Sequence, residues 1–205
     1  MNVRAFIAIL IVSPFLLALG GCGGGSGGGG GGAATVVGRA VDDGTQAALG
    51  GATVRIGNAS AQTGNDGFFT VANAPTGDQM LTINAGGHDT FLLAVDLAGG
   101  QNNVGVCYVA PTLQVGRGAV TGRMLLAGGT GVNGGTVRSD GASAVSRSDG
   151  TGRFTLYNLP AGTTQVTFSD PTSGSSAWEY VTVQSARVTD MGQVFLSFGP
   201  PPPPL

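Results

Sequence analysis

Side chains that could do chemistry are scarce in this chain. It has one histidine, His88, one glutamate, Glu179, and no lysine among its 205 residues. A zinc hydrolase needs several histidine or carboxylate ligands and a general base. A serine triad would have to use His88, and the adjacent Asp89 cannot easily orient the same imidazole ring. We therefore expect no enzymatic activity and no cofactor, and we expect His88 to lie exposed in a turn.

Two turn sequences carry acidic side chains next to glycine, namely NDG at residues 65–67 and DGTG at residues 149–152. Neither supplies the alternating acidic ligands of a high-affinity calcium loop. Tight turns are the favoured interpretation, because asparagine, aspartate and glycine accept the backbone angles that such turns require. A calcium site is the alternative left open.

The two cysteines lie in very different surroundings. Cys107 belongs to an apolar alternating run, in which a buried, reduced thiol is expected. Cys22 follows an apolar run of about 15 residues that begins after Arg4, which is short for a membrane-spanning helix of roughly 20 residues. A positive start, a short apolar core and small residues at its end are typical of a secretory signal peptide.

The sequence LGGC at residues 19–22 resembles the lipobox of bacterial lipoproteins. In that family the signal is cleaved before the cysteine, and the sulfur receives a diacylglyceryl group. The resemblance implies a signal peptide at residues 1–21 and an acylated Cys22 bound to membrane lipid. It also implies an exported protein anchored in the cell envelope, at the outer membrane where there are two membranes. An ordinary cleaved signal is the alternative.

Residues 22–33 form a glycine-rich linker with almost no side chains to pack. Such a segment behaves as a random coil, and its glycine tract spans about 17–19 Å. It is expected to act as a tether for the folded region that follows. That region is poor in charge, with 10% charged residues and a net charge of −2. No basic patch suited to a phosphate backbone is present, so nucleic acid is not expected as a partner.

The body of the chain consists of short apolar runs that alternate with polar residues and are separated by glycine, asparagine, aspartate and proline. Branched and aromatic residues dominate these runs, and none sustains a helical period. This pattern predicts an all-β sandwich. In the two corresponding runs that follow the acidic turns, the residues expected on the core face are Phe69, Val71, Phe154 and Leu156.

Four motifs occur twice in the same order, at offsets of 84, 83, 85 and 85 residues. Such constant spacing indicates a duplicated domain of about 80 residues. The first motif holds a mid-strand glycine, which predicts a bulge or close packing at that point. Residues 37–39 return as 121–123, residues 51–55 as 134–138, residues 63–71 as 148–156, and residues 73–77 as 158–162.

These motifs resemble the carboxypeptidase regulatory-like domain family, whose members share V-x-G-x-V and G-A-x-V strands, a turn before G-x-F and an L-P-A-G turn. The resemblance implies two tandem prealbumin-like Greek-key sandwiches, at residues 34–112 and 117–198, and no reaction. Residues 199–205 would form a proline-rich disordered tail. The implied function is a structural, adhesive or scaffolding module, with a cell-envelope polysaccharide or protein as a further partner class.

Trp178 and Tyr180 lie in phase on a late strand of the second repeat, beside a polar segment at residues 170–177. Packing of the strand is the favoured interpretation of these rings. Exposed aromatic rings beside a loop can also stack on sugar rings. The alternative function is therefore a carbohydrate-binding module that uses the Trp178–Tyr180 strand.

Overall fold

The computed structural model describes residues 33–139, 142–147 and 149–197. The signal peptide, Cys22, the linker up to residue 32 and the tail at residues 199–205 lie outside the described residues. Within the described ranges, no helix has the length and apolarity needed to traverse a bilayer.

The described residues are all-β, as the sequence predicts, and within them each repeat contributes seven strands. The first set is β1 (Ala34–Asp42), β2 (Thr53–Ile56), β3 (Ala59–Gln62), β4 (Phe68–Ala74), β5 (Gly77–Asn84), β6 (Phe91–Leu97) and β7 (Gly100–Val109). The second set is β8 (Arg117–Leu126), β9 (Thr136–Ser139), β10 (Ala142–Val145), β11 (Arg153–Pro160), β12 (Gly162–Ser169), β13 (Ser176–Val183) and β14 (Val188–Leu196).

The two repeats have the same sheet organisation. The first forms a three-stranded sheet, β4-β1-β7, and a four-stranded sheet, β3-β2-β5-β6. The second forms the corresponding sheets β11-β8-β14 and β10-β9-β12-β13. Strand β8 pairs antiparallel with β11 and parallel with β14. The repeated strand order is the structural counterpart of the sequence repeat.

By its internal packing the chain separates into two compact units. The first consists of residues 33–40, Gly50–Ala85 and Thr90–Cys107. The second consists of Val41–Leu49, Gly86–Asp89 and residues 108–197. Three segments of the first repeat, at residues 41–49, 86–89 and 108–112, therefore belong to the second unit.

The core of the second sandwich draws on both of its sheets. Phe154 on β11 and Phe168 on β12 are each 1% exposed, and their ring centroids lie 5.3 Å apart in an edge-to-face arrangement. Around them pack Val120, Met124, Val137, Leu156, Val166 and Leu196. Burial of this apolar surface stabilises the sandwich. The predicted core positions Phe154 and Leu156 are confirmed.

The first sandwich shows the same alternation of buried and exposed residues. Phe69 and Val71 on β4 are 3% and 0% exposed, so both predicted core positions are confirmed. Strands β2 and β5 bury every second residue, through Val54, Ile56, Leu81 and Ile83. This period of two is the expected consequence of strand geometry with one face toward a core.

The repeated Gly-Arg motif has the same role in both sandwiches. A β-carbon on Gly38 would lie 2.6 Å from Cζ of Phe69, which is closer than real contacts permit. The next residue, Arg39, donates from Nε to the carbonyl oxygen of Asp66 at 3.0 Å, and Arg123 donates to that of Thr151 at 3.0 Å. The glycine therefore leaves space for the core phenylalanine. The arginine stabilises, through its hydrogen bond, the turn that precedes the phenylalanine strand.

Candidate functional site

Trp178 and Tyr180 lie on β13, an edge strand of the four-stranded sheet of the second sandwich. Their side chains are 45% and 65% exposed, and neither ring lies in the core. The ring centroids are 5.8 Å apart and the ring planes are inclined at 84°. The alternate residues Ala177 and Val181 pack against the core cluster instead. The strand thus presents its two aromatic rings on the outer face of the sheet.

The strand register shows which side chains share this outer face. Trp178 lies opposite Thr167 on β12, and Thr167 lies opposite Arg138 on β9. Tyr180 lies opposite Gln165. Residues directly opposite each other in an antiparallel pair point to the same face. We call the group formed by Trp178, Tyr180, Gln165 and Thr167 the outer-face cluster.

Gln165 is the unusual member of the outer-face cluster. It is 8% exposed, although its strand position faces away from the core. Its Nε2 atom is buried and has no hydrogen-bond partner among the described residues. Buried polar groups in proteins are nearly always hydrogen-bonded, so this amide is an unused donor. No local pattern indicates this burial, because glutamine in an alternating strand is usually a solvated outer residue.

The expectation that His88 lies exposed in a turn is wrong. Its side chain is 14% exposed, and Nε2 lies 2.9 Å from Oδ2 of Asp42. Nδ1 lies 2.9 Å from the carbonyl oxygen of Gly86. The backbone holds the residue in place through a bridge between His88 and Pro111. Both ring nitrogens are engaged, so neither is free to accept a proton from a serine hydroxyl.

Asp42 is held in its charged form by the same contacts. Burial raises the pKa of Asp42, but hydrogen bonds from the Thr45 backbone, from His88 and from the Thr45 hydroxyl outweigh burial and leave the pKa below its ordinary value. The Asp42 Oδ1 atom accepts from the backbone nitrogens of Gly44 and Thr45 at 2.9 and 2.7 Å. This pattern is that of a capped turn at the end of β1.

Asp43 is the centre of a second polar group that the sequence did not reveal. Arg147 donates to Oδ1 of Asp43 through Nε at 3.0 Å and also through Nη2. The Tyr157 hydroxyl donates to Oδ2 at 3.0 Å. Arg147 also lies over the ring of Tyr108, 4.0 Å from its centroid. Burial raises the pKa of Tyr157, and the negative charge of Asp43 raises it further.

A cleft of about 390 Å³ in the second unit adjoins these groups. Of its charged side chains, Asp42 pairs with His88, and Arg117 donates from Nη1 to the neutral carbonyl of Asn158 at 2.7 Å. The other lining residues are Gly44, Thr45, Gly87, Pro111, Thr112, Leu113, Gln114, Ala142, Ser143 and Tyr157.

The acidic turns use their carboxylates locally. Oδ1 of Asp66 accepts from the backbone nitrogen of Phe68 at 3.1 Å. Oδ1 of Asp149 accepts from the backbone nitrogen and the hydroxyl of Thr151 at 2.9 and 2.5 Å. These are the bonds of tight turns. Among the described residues, no three histidine, cysteine or carboxylate side chains come together as a metal site.

Cys107 is buried, as the sequence predicts, with 1% exposure, and it forms no disulfide within the described part of the chain. Burial raises the pKa of its thiol to about 12. Because the thiolate is the nucleophilic form, this cysteine is unreactive near neutral pH.

No protein-family model matches the chain, and no curated protein matches it. Solved structures similar to it include GBS52, the minor pilin of Streptococcus agalactiae, at 13% identity over 83% of this chain and 99% of that chain, with a TM-score of 0.29. A cohesin–X-dockerin complex from Acetivibrio cellulolyticus gives 20% identity over 38% of this chain and 56% of that chain, with a TM-score of 0.33.

The Bacillus anthracis TIE protein gives 13% identity over 79% of this chain and 33% of that chain, with a TM-score of 0.31. The present chain thus matches 56% of the cohesin complex chain and a third of the TIE chain. TM-scores below 0.5 at these identities carry no inference about function.

Proposed function

We propose that this protein is an exported lipoprotein of the cell envelope, with a non-catalytic structural, adhesive or scaffolding role. The observation that carries the proposal is the LGGC sequence, which ends in Cys22 at the close of a short apolar run. Two or three acyl chains on this residue, at about 0.8 kcal/mol per buried methylene, would hold the protein on a membrane. Gly23, rather than aspartate, follows the cysteine, which favours the outer membrane where one exists.

The proposed functional body consists of two modules, at residues 34–112 and 117–198, carried on a glycine-rich tether and followed by the tail at residues 199–205. The repeated strand order supports the two-module organisation. The non-catalytic role is supported by the state of the reactive side chains. His88 has both ring nitrogens engaged, and Cys107 is a buried thiol with a raised pKa.

Metabolic labelling with a radiolabelled fatty acid tests the anchor, and the chain supplies its own control because it has two cysteines. We expect the wild-type chain and Cys107→Ala to incorporate the label in the membrane fraction. Cys22→Ala should lose the label and leave that fraction. Incorporation that survives Cys22→Ala, or no incorporation in the wild-type chain, would show that Cys22 is not the lipid anchor.

We propose saccharide binding through Trp178 and Tyr180 as a second function. The observation that favours it is the exposure of both rings, 45% and 65%, on the outer face of an edge strand. Leaving two large aromatic side chains in water costs the free energy that burial would have released. A cell-envelope polysaccharide could stack against such rings and recover part of that free energy.

A further inference from the structure

We infer that Gln165 is the hydrogen-bond donor of a saccharide site whose stacking surface is the Trp178–Tyr180 pair. This inference deepens the second function proposed above and rests on it. It adds a residue that the aromatic pair alone does not suggest, and it limits the kind of ligand that the site can hold.

The first argument is placement. Gln165 lies directly opposite Tyr180, and Thr167 lies directly opposite Trp178, on adjacent antiparallel strands about 4.8 Å apart. Opposite residues project to the same side of a sheet. A ring stacked against either aromatic side chain therefore has the Gln165 position beside it, within the span of one sugar residue.

The second argument is the unused donor. Gln165 is 8% exposed, and its Nε2 finds no acceptor among the described residues. An amide buried without a partner is costly, and a group of this kind in a folded protein calls for an explanation. A hydroxyl or ring oxygen of a bound saccharide would supply the missing acceptor once the Gln165 side chain turns outward to meet it.

The third argument is the shape and polarity of the face. The two aromatic planes are inclined at 84°, so they cannot form one flat platform under a long chain of sugars. This arrangement suits a single pyranose ring stacked on one of them. The nearby Thr163, Thr167 and Thr182 carry hydroxyls, and Thr163 and Thr182 lie 3.4 Å apart through their Oγ1 atoms.

Hydroxyl groups both donate and accept, as sugar hydroxyls do. A proline-rich peptide, the other ligand that stacks on aromatic rings, presents backbone carbonyl acceptors and lacks most donors. The free amide donor would suit either ligand, whereas the threonine hydroxyls, which can also accept from sugar hydroxyls, favour a saccharide.

Titration of the full chain tests the inference, and Trp178 is its only tryptophan, so fluorescence reports on the site itself. The probes are chitopentaose, cellopentaose, maltopentaose and pentagalacturonate. We expect saturable quenching by at least one of them. With that probe, Gln165→Leu should raise the Kd by about tenfold, the factor that corresponds to one lost hydrogen bond. Tyr180→Ala should raise the Kd by a similar factor, because it removes a stacking ring.

Phe195→Ala is the matched control, because Phe195 is an exposed aromatic residue, 53% exposed, on β14 of the same sandwich. It should bind as the wild-type chain does. Gln165→Met is a second variant that lacks the donor, for use if Gln165→Leu does not fold. Thermal melting of each variant shows that lost binding does not come from lost structure.

The outcomes separate the two proposals. If Tyr180→Ala weakens binding and the folded Gln165 variants bind like wild type, the role of Gln165 is overturned while saccharide binding stands. If no probe changes the fluorescence and no probe gives heat in a calorimetric titration, both saccharide proposals fail. Binding of a synthetic pentaproline peptide in place of the saccharides would overturn the ligand class.

Discussion

Asp43 accepts hydrogen bonds from two side chains, Arg147 and Tyr157, and its own side chain is only 9% exposed. A carboxylate withdrawn from water loses hydration free energy, which an ion pair restores only with good geometry and further hydrogen bonds. Here the guanidinium donates two bonds and the phenol a third. Removing one partner would therefore leave an incompletely compensated charge.

We expect Arg147→Met to lower the free energy of unfolding by about 3 kcal/mol, because it leaves the Asp43 carboxylate buried with the Tyr157 hydroxyl alone. Urea denaturation measures the change. Arg138→Met is the control, since Arg138 is exposed and forms no ion pair among the described residues, and it should change stability by less than about 0.5 kcal/mol. Equal effects of the two substitutions would show that the ion pair adds no stability.

Predictions for single residues from the sequence are correct where a local pattern determines whether the residue is buried. Alternation identifies Phe69 and Phe154 as core residues and Cys107 as buried, because burial follows strand phase. It fails for Asp43 and Arg147, which are 104 positions apart. It fails for His88 for the same reason, since its partner Asp42 is 46 positions away. The local alternation of residue types carries no information about contacts between residues so far apart in the chain.

At the scale of strands, the Gly-Arg motif shows why the same residue types occur at corresponding positions of the two repeats. A β-carbon on Gly122 would lie 2.9 Å from the Gly192 carbonyl oxygen and 3.0 Å from Cζ of Phe154. The neighbouring carbonyl oxygen belongs to the backbone of β14, at the register shift between Asp190 and Gln193 in its parallel pairing with β8. The sequence predicts close packing or a bulge at this glycine. The structure shows close packing at Gly122 and a register shift opposite it on β14.

We expect Gly122→Ala to destabilise the second sandwich by about 1–3 kcal/mol, the usual effect of forcing extra volume into packed surroundings. Gly128→Ala is the matched control, because a β-carbon at Gly128 would meet nothing within 4 Å and its backbone needs no positive φ. That variant should be neutral or slightly more stable. Thermal melting compares the two, and the same melting temperature for both would contradict the packing argument.

Strand positions and the repeat could be derived from sequence because alternation and turn residues are local signals. The outer-face cluster could not. Trp178 and Tyr180 are visible as an in-phase pair, but their exposure depends on which face of β13 meets the core. Gln165 joins them only through the register of β12 against β13, which the hairpin at residues 170–175 fixes.

For the whole molecule, the central claim is that duplication produced two modules, each with a core of its own. Both repeats place their strands in the same order. Each repeat centres on a phenylalanine from the strand after the acidic turn, Phe69 in the first and Phe154 in the second, exposed by 3% and 1%. If each module has a core of its own, each should unfold without the other.

Differential scanning calorimetry of the full chain, Phe154→Ala and Phe69→Ala tests this claim most directly. Replacing a buried phenylalanine by alanine costs about 3–5 kcal/mol, a large part of the stability of a small domain. We expect two transitions in the wild-type chain, with Phe154→Ala removing or lowering one and Phe69→Ala the other. A fragment of residues 33–112 should melt cooperatively alone. If either substitution abolishes both transitions together, or the fragment is unfolded, the repeats share one core and the two-module account is wrong.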